Sequence, residues 1–285
     1  MSDEIGPPGL SAAWPEWPTI GSARRGVNTL HQLRCINRPP VLAGWWRGTL
    51  TVFSSPAFME LASANTTMAS ERRDFVEWHR GRSPYVFWAL DVDTPELRQA
   101  LSRAECHLSG LLLDDYRRQP HVTLDLCGFP AASPGDADEF SVAWLNDRVQ
   151  RLRAAGLAEF AIEIGGLSSF ISAPYLDARG ADASLATIRQ CLADSSGNRL
   201  LGNYVPHCTV GLYAAAWPAG PVVERLLAFS GPGALRLVIK RISLMSYHPA
   251  EIAGPLSLLG DFWLASGRMA WYPASASLGF DQLPE

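Results

Sequence analysis

The stretch Pro120-His121-Val122-Thr123-Leu124 returns 86 residues later as Pro206-His207-Cys208-Thr209-Val210. No other feature constrains the chain as tightly. Successive side chains of a β-strand point to opposite faces, so residues two apart share a face roughly 6.6 Å from one another. His121 and Thr123 therefore project together while Val122 and Leu124 point into a core, and His207 and Thr209 do likewise against Cys208 and Val210. Two copies at one long interval predict a duplicated lobe rather than a solenoid. A fold that sets the two strands side by side makes a single groove in which two imidazoles and two hydroxyls face each other.

The flanking patterns support such lobes. Tyr85–Val92 is an apolar strand, and Asp93-Thr94-Pro95-Glu96 opens a helix reaching about Leu113. Gln119–Phe129 is the first motif strand, and Asp136–Ala155 is helical, with Phe140, Trp144, Leu145, Val149 and Leu152 as its buried stripe. Phe160–Ile164 and Ser169–Leu176 read as two strands joined by Gly165-Gly166, a hairpin or a bulged pair. A helix over Ala183–Asp194, the second motif strand Val205–Tyr213, a helix over Pro221–Phe229, one long strand Leu235–Met245 and a last strand Leu256–Leu264 follow. Upstream, Val41–Phe53 is strand-like, Ser55-Pro56 opens a helix to about Leu61, and a second helix is predicted over Ser70–Arg80. Trp14-Pro15 and Trp17-Pro18 belong to an irregular arm. These signals divide the chain into an N-terminal extension over 1–83, a lid or packing arm; a strand-and-helix domain over 84–268 that carries both motifs; and a C-terminal tail over 269–285.

Composition limits the partners. Hydrophobic residues make up 47% and the formal charge is −4, with Lys240 the only lysine. A long duplex nucleic acid, which demands many phosphate contacts, is therefore not expected. Five scattered cysteines without a Cys-x-x-Cys pair predict reduced thiols and a cytoplasmic location rather than a disulfide framework or a zinc knuckle. Neither a secretory leader nor an apolar run long enough for a membrane span is read. A monomer is expected.

With two His-x-Thr copies, on predicted strands and each preceded by proline, the chain resembles the two-histidine (2H) phosphoesterase superfamily, which includes RNA 2′,5′-ligase-like proteins and cyclic nucleotide phosphodiesterases. The resemblance spans roughly 84–268. It implies a bilobal α+β fold, two antiparallel-rich sheets facing a central groove with helices outside. Ligase-like relatives often carry an arginine shortly after the second motif; here Gly211-Leu212-Tyr213 follows.

An imidazole with a pKa near 6.5 can be neutral or charged around neutrality, so His121 and His207 are the candidate acid and base. Thr123 and Thr209 would donate hydroxyl hydrogen bonds to non-bridging phosphate oxygens. Phe129 and Tyr213, on the motif face by parity, together with Tyr175 and Tyr247, are candidate base-stacking residues. Asp125 shares the parity of His121 and is read as a hydrogen-bonding support or a solvated residue. His31, His79 and His107 are read as surface or loop groups, and His248 lies at a strand end. The expected substrate is a nucleotide or RNA-end phosphodiester, a 2′,3′-cyclic phosphate or a 2′,5′ linkage, hydrolysed without metal. A non-catalytic nucleotide- or phosphate-binding module and RNA 2′,5′-ligase activity are the alternatives. No Walker loop is present and no Gly-x-Gly-x-x-Gly follows a strand, so no cofactor is expected.

Overall fold

The computed structural model describes residues 56–193 and 204–280. In chain order these form α1 (Pro56–Ser63), α2 (Val76–His79), β1 (Tyr85–Asp91), α3 (Pro95–His107), β2 (His121–Pro130), β3 (Glu139–Phe140), α4 (Val142–Ala154), β4 (Phe160–Ser169) and β5 (Pro174–Arg179). There follow α5 (Asp182–Leu192), β6 (His207–Thr209), α6 (Ala219–Leu227), β7 (Leu235–Ile239), β8 (Arg241–Tyr247), β9 (Ser257–Trp263), β10 (Arg268–Trp271) and a 3-10 helix, Pro273–Leu278. The strands build two sheets, in the orders β10-β9-β8-β1-β2-β3 and β6-β5-β4-β7. Pairing is antiparallel throughout except at the short β2–β3 contact. The fold is thus α+β with two mostly antiparallel sheets, as expected. The strand read over Val41–Phe53, the arm with Trp14 and Trp17, and His31 lie outside the described residues.

The duplication seen in the motifs extends to their neighbours. On β1–β2, Asp91 lies opposite His121 and Ala89 opposite Thr123; on β5–β6, Asp177 lies opposite His207 and Tyr175 opposite Thr209. The 86-residue offset therefore holds for both strands of each pair. The helices between them bury matching stripes, Leu97, Ala100 and Ala104 on α3 and Leu185, Ile188 and Leu192 on α5. These stripes are offset by 88, so the connecting loops absorb two residues. Thr94 caps α3 by accepting a bond from the Leu97 amide at 3.2 Å, with Pro95 at its first position.

Several elements differ from the sequence reading. α4 starts at Val142 rather than near Asp136, because Ser141 caps it at the Trp144 amide (3.1 Å) while the preceding acidic residues hold Arg82. Gly165-Gly166 forms the bulge of the two readings offered for it, but inside one strand, β4; the turn comes later, where the Phe170 amide donates to the Ala173 carbonyl. The run Leu235–Met245 is two strands, since the chain passes at Lys240 from the four-stranded to the six-stranded sheet. Only the short α2 forms within 70–80.

One continuous core joins both sheets and their helices; Trp88, Leu124, Ile164, Leu176 and Cys208 belong to it. Phe58 and Leu61 of α1, and Phe280 beyond the 3-10 helix, are buried in this same core. A second, smaller cluster covers the opposite face of the six-stranded sheet, built from Tyr85, Phe87, Phe129, Met245, Tyr247 and Leu256. Among the described residues no helix is long and apolar enough to cross a membrane.

Candidate active site

The two sheets meet along the motif strands: β2 touches β6 although they belong to different sheets. Tyr204 donates its phenol hydrogen to the Thr123 carbonyl at 2.8 Å, and the His121 backbone lies at the Cys208 thiol. Alternation works as the sequence requires, with Val122, Leu124, Cys208 and Val210 all buried in the core. The opposite faces of both strands are left to the histidines and threonines.

The imidazoles are held alike. Nδ1 of His121 is 2.7 Å from the Gln119 carbonyl, and Nδ1 of His207 is 2.7 Å from the Val205 carbonyl. A carbonyl only accepts, so each Nδ1 carries the proton and each neutral ring keeps its lone pair on Nε2. The carbonyl two residues upstream of each histidine thus sets the tautomer. Gln119 is itself fixed, because its side-chain amide bonds the Leu256 backbone at 3.1 and 2.8 Å.

Burial governs the charge state of the pair. His121 is pulled down to about 4 by burial first, then by the positive charges of Arg118 and His207, against the opposing Gln119 bond. His207 is lowered by burial, against its Val205 bond. Part of the His207 residue remains accessible, but Phe170 at 4.9 Å and Tyr175 at 5.2 Å crowd its ring. These surroundings by themselves keep His121 neutral at pH 7.

The aspartates opposite the histidines differ despite their equivalent positions. Asp91 binds Arg241 at 2.7 Å, whereas buried Asp177 is pushed up to about 6 by burial, opposed by Arg179 at 3.3 Å. A raised carboxyl pKa favours the fold below the unfolded value of 3.8, and that advantage is lost as pH rises through about 6. Asp177→Asn removes the cost of ionising this carboxyl. It is expected to stabilise the protein above pH 6 by about 1–3 kcal/mol, after allowance for the half-exposed Arg179 pair, with no gain below pH 4. Urea unfolding of both proteins at pH 7.5 and pH 4 measures the difference.

The candidate aromatics are not equivalent. Tyr175 is fully buried between Phe170 (4.5 Å) and the His207 ring. Tyr247 reaches the site indirectly: Arg118 stacks over it at 4.4 Å, and Phe87 lies between it and His121. Phe129 is on the expected face but is buried under Trp78, Tyr85 and the Arg82 guanidinium, with no face open to a base. Tyr213 follows β6, is fully buried in the main core and bonds Ser169 at 2.7 Å. Asp125 is a correction to the parity reading: a bulge opposite Trp88–Ala89 turns it off the face of His121, toward the charges of Arg148 and Arg189. His79 is another, being buried against Asp74 at 2.5 Å, and His107 bonds the Arg225 carbonyl at 2.6 Å.

Four residues near the pair went unread in the sequence. Phe87 packs on His121 at 5.6 Å and Phe170 on His207. Arg118 acts electrostatically on His121, and the Tyr116 phenol sits at the Thr209 hydroxyl. Phe87 was accessible in principle, since it is two residues from the partner of Thr123 on β1 and shares its face. Arg118 and Tyr116 lie in an aperiodic segment that carries no such signal.

Two sheets joined along paired His-x-Thr strands, each imidazole pinned by the carbonyl two residues upstream, define a protein of the two-histidine phosphoesterase class. The chain belongs to the 2′-5′ RNA ligase superfamily, whose sequence model matches residues 92–251 and so includes both motifs. Among solved structures it is similar to TT0787 of Thermus thermophilus, at 16% identity over 64% of this chain and 98% of that one, with a TM-score of 0.40. It is also similar to E. coli LigT complexed with phosphate (13% identity, 64% and 98%, TM-score 0.42) and to E. coli LigT complexed with 3′-AMP (14% identity, 63% and 97%, TM-score 0.42). No curated protein sequence matches the chain. Membership of the family rests on the sequence match.

Proposed function

We propose that the chain is a metal-independent phosphoesterase that hydrolyses a nucleotide or RNA-end phosphodiester, a 2′,3′-cyclic phosphate or a 2′,5′ linkage, using His121 and His207 as acid and base. The observation that carries this reading is the matched pair of imidazoles, both protonated at Nδ1, where the two sheets meet. Hydrolysis requires one Nε2 to take a proton from the attacking water while the other ring gives a proton to the leaving ribose oxygen. The bound phosphodiester is an anion, and a negative charge within a few ångströms favours a protonated imidazole. Substrate binding therefore supplies the charged ring that burial alone disfavours. Thr123 and Thr209 would donate to the non-bridging oxygens as negative charge builds on them.

Turnover of 2′,3′-cyclic mononucleotides and 2′,5′-linked dinucleotides, with and without EDTA and across pH 4–9, tests the reading. The expected result is hydrolysis unaffected by EDTA with a bell-shaped pH profile. Binding without turnover would instead assign the groove to recognition, and loss of activity in EDTA would assign it to a metal. Joining of RNA ends under the same conditions would add 2′,5′ ligation to the activity.

A further inference from the structure

We propose that Arg118 is the cation that grips the phosphoryl group between the two imidazoles, supplied by the segment before β2 rather than by either His-x-Thr strand. Its part in turnover rests on the function proposed above; its part in phosphate binding does not.

Arg118 is half-buried between α3 and β2. Its guanidinium stacks 4.4 Å over the Tyr247 ring and bonds the Tyr247 phenol. From Tyr247 the packing runs to Phe87 at 6.0 Å and on to His121 at 5.6 Å. The same charge acts on Tyr116, whose phenol meets the Thr209 hydroxyl. One guanidinium, seated on Tyr247, therefore acts on the histidine of the first motif and on Tyr116, the hydroxyl partner of the second motif's threonine. The segment is tied down on both sides of Arg118: the Leu113 amide donates to Leu212 (2.7 Å), the Arg117 amide to Ala253 (2.9 Å), and the Gln119 side chain brackets Leu256.

Chemistry supplies the need. The carboxylates beside the histidines, Asp91 and Asp177, are held by Arg241 and Arg179, and the threonines are neutral donors. A phosphodiester bound between the imidazoles brings a negative charge out of water, which is costly unless a cation meets it. A guanidinium presents a planar fork that bonds two phosphoryl oxygens at once, and it cannot lose its proton there.

The test uses inorganic phosphate as the probe, with calorimetric binding and imidazole NMR titration of the full chain. Arg118→Gln is expected to weaken phosphate binding by about 10-fold or more, the scale of a lost charge-assisted bond. It is also expected to move the His121 titration midpoint upward, because a positive neighbour has gone. Arg118→Lys should keep the midpoint and recover part of the affinity, and Arg236→Gln, exposed on β7, should change neither. Unchanged affinity in Arg118→Gln, or a wild-type chain that takes up no phosphate, overturns the proposal. Arg118-dependent phosphate binding without turnover of any phosphodiester supports it and overturns only the hydrolase reading. Full turnover by Arg118→Gln overturns the role of Arg118 alone.

Discussion

Replacing His121 or His207 by alanine is expected to lower turnover by about 10²–10⁴-fold, the range of a lost general acid or base. Each ring has one protonatable position left after its Nδ1 bond, so neither can take over the other's step. The double variant should consequently lose little more than either single one, as happens when residues act as a unit. The structural cost is a separate quantity. His121 is buried with its pKa depressed, so its contribution to stability is full above about 6.5 and falls away as the pH drops toward about 4. His121→Ala should lack that part of the acid sensitivity. Measuring kcat/KM beside a thermal melt separates the two effects, and a folded variant with wild-type kcat would remove that histidine from the mechanism.

The second large effect is on folding. Gly128 lies on β2 at φ +106°, and a Cβ there would stand 2.1 Å from the Asp138 carbonyl oxygen. That oxygen also accepts the Phe129 amide at 2.8 Å. Gly128→Ala must therefore push residues 136–140 away, break the β2–β3 contact and disturb the grip of Arg82 on Asp138 and Glu139. An L-residue held at this φ adds strain that glycine does not have. The expected loss is about 3 kcal/mol or more, at the high end for a single substitution. Urea unfolding checks it, and an unchanged midpoint would refute it. His121 is at the opposite end of β2, so the fraction that remains folded should keep near-normal turnover.

How far the sequence could be read depended on periodicity. Alternation about His121 and His207 placed Val122, Leu124, Cys208 and Val210 in the core, because an extended strand leaves those side chains no other face. The helix at Pro95 was visible through its Thr94 cap. Alternation failed at Asp125, where an extra residue opposite Trp88–Ala89 breaks the parity, and a bulge has no clear mark in the sequence. It misjudged Tyr213 because β6 ends at Thr209, four residues before it. The passage of the chain between sheets at Lys240 was hidden inside one aliphatic run. Arg118 and Tyr116 were invisible for a different reason: they lie in a segment shaped by contacts with Leu212, Ala253 and Leu256, all distant in sequence.

The central claim is that both imidazoles serve one phosphoryl group. A crystal structure of the protein soaked with inorganic phosphate tests it directly. A single phosphate within about 3 Å of Nε2 of both His121 and His207 is the predicted result. A phosphate bound to one ring alone, or elsewhere with the pair left untouched, would contradict it.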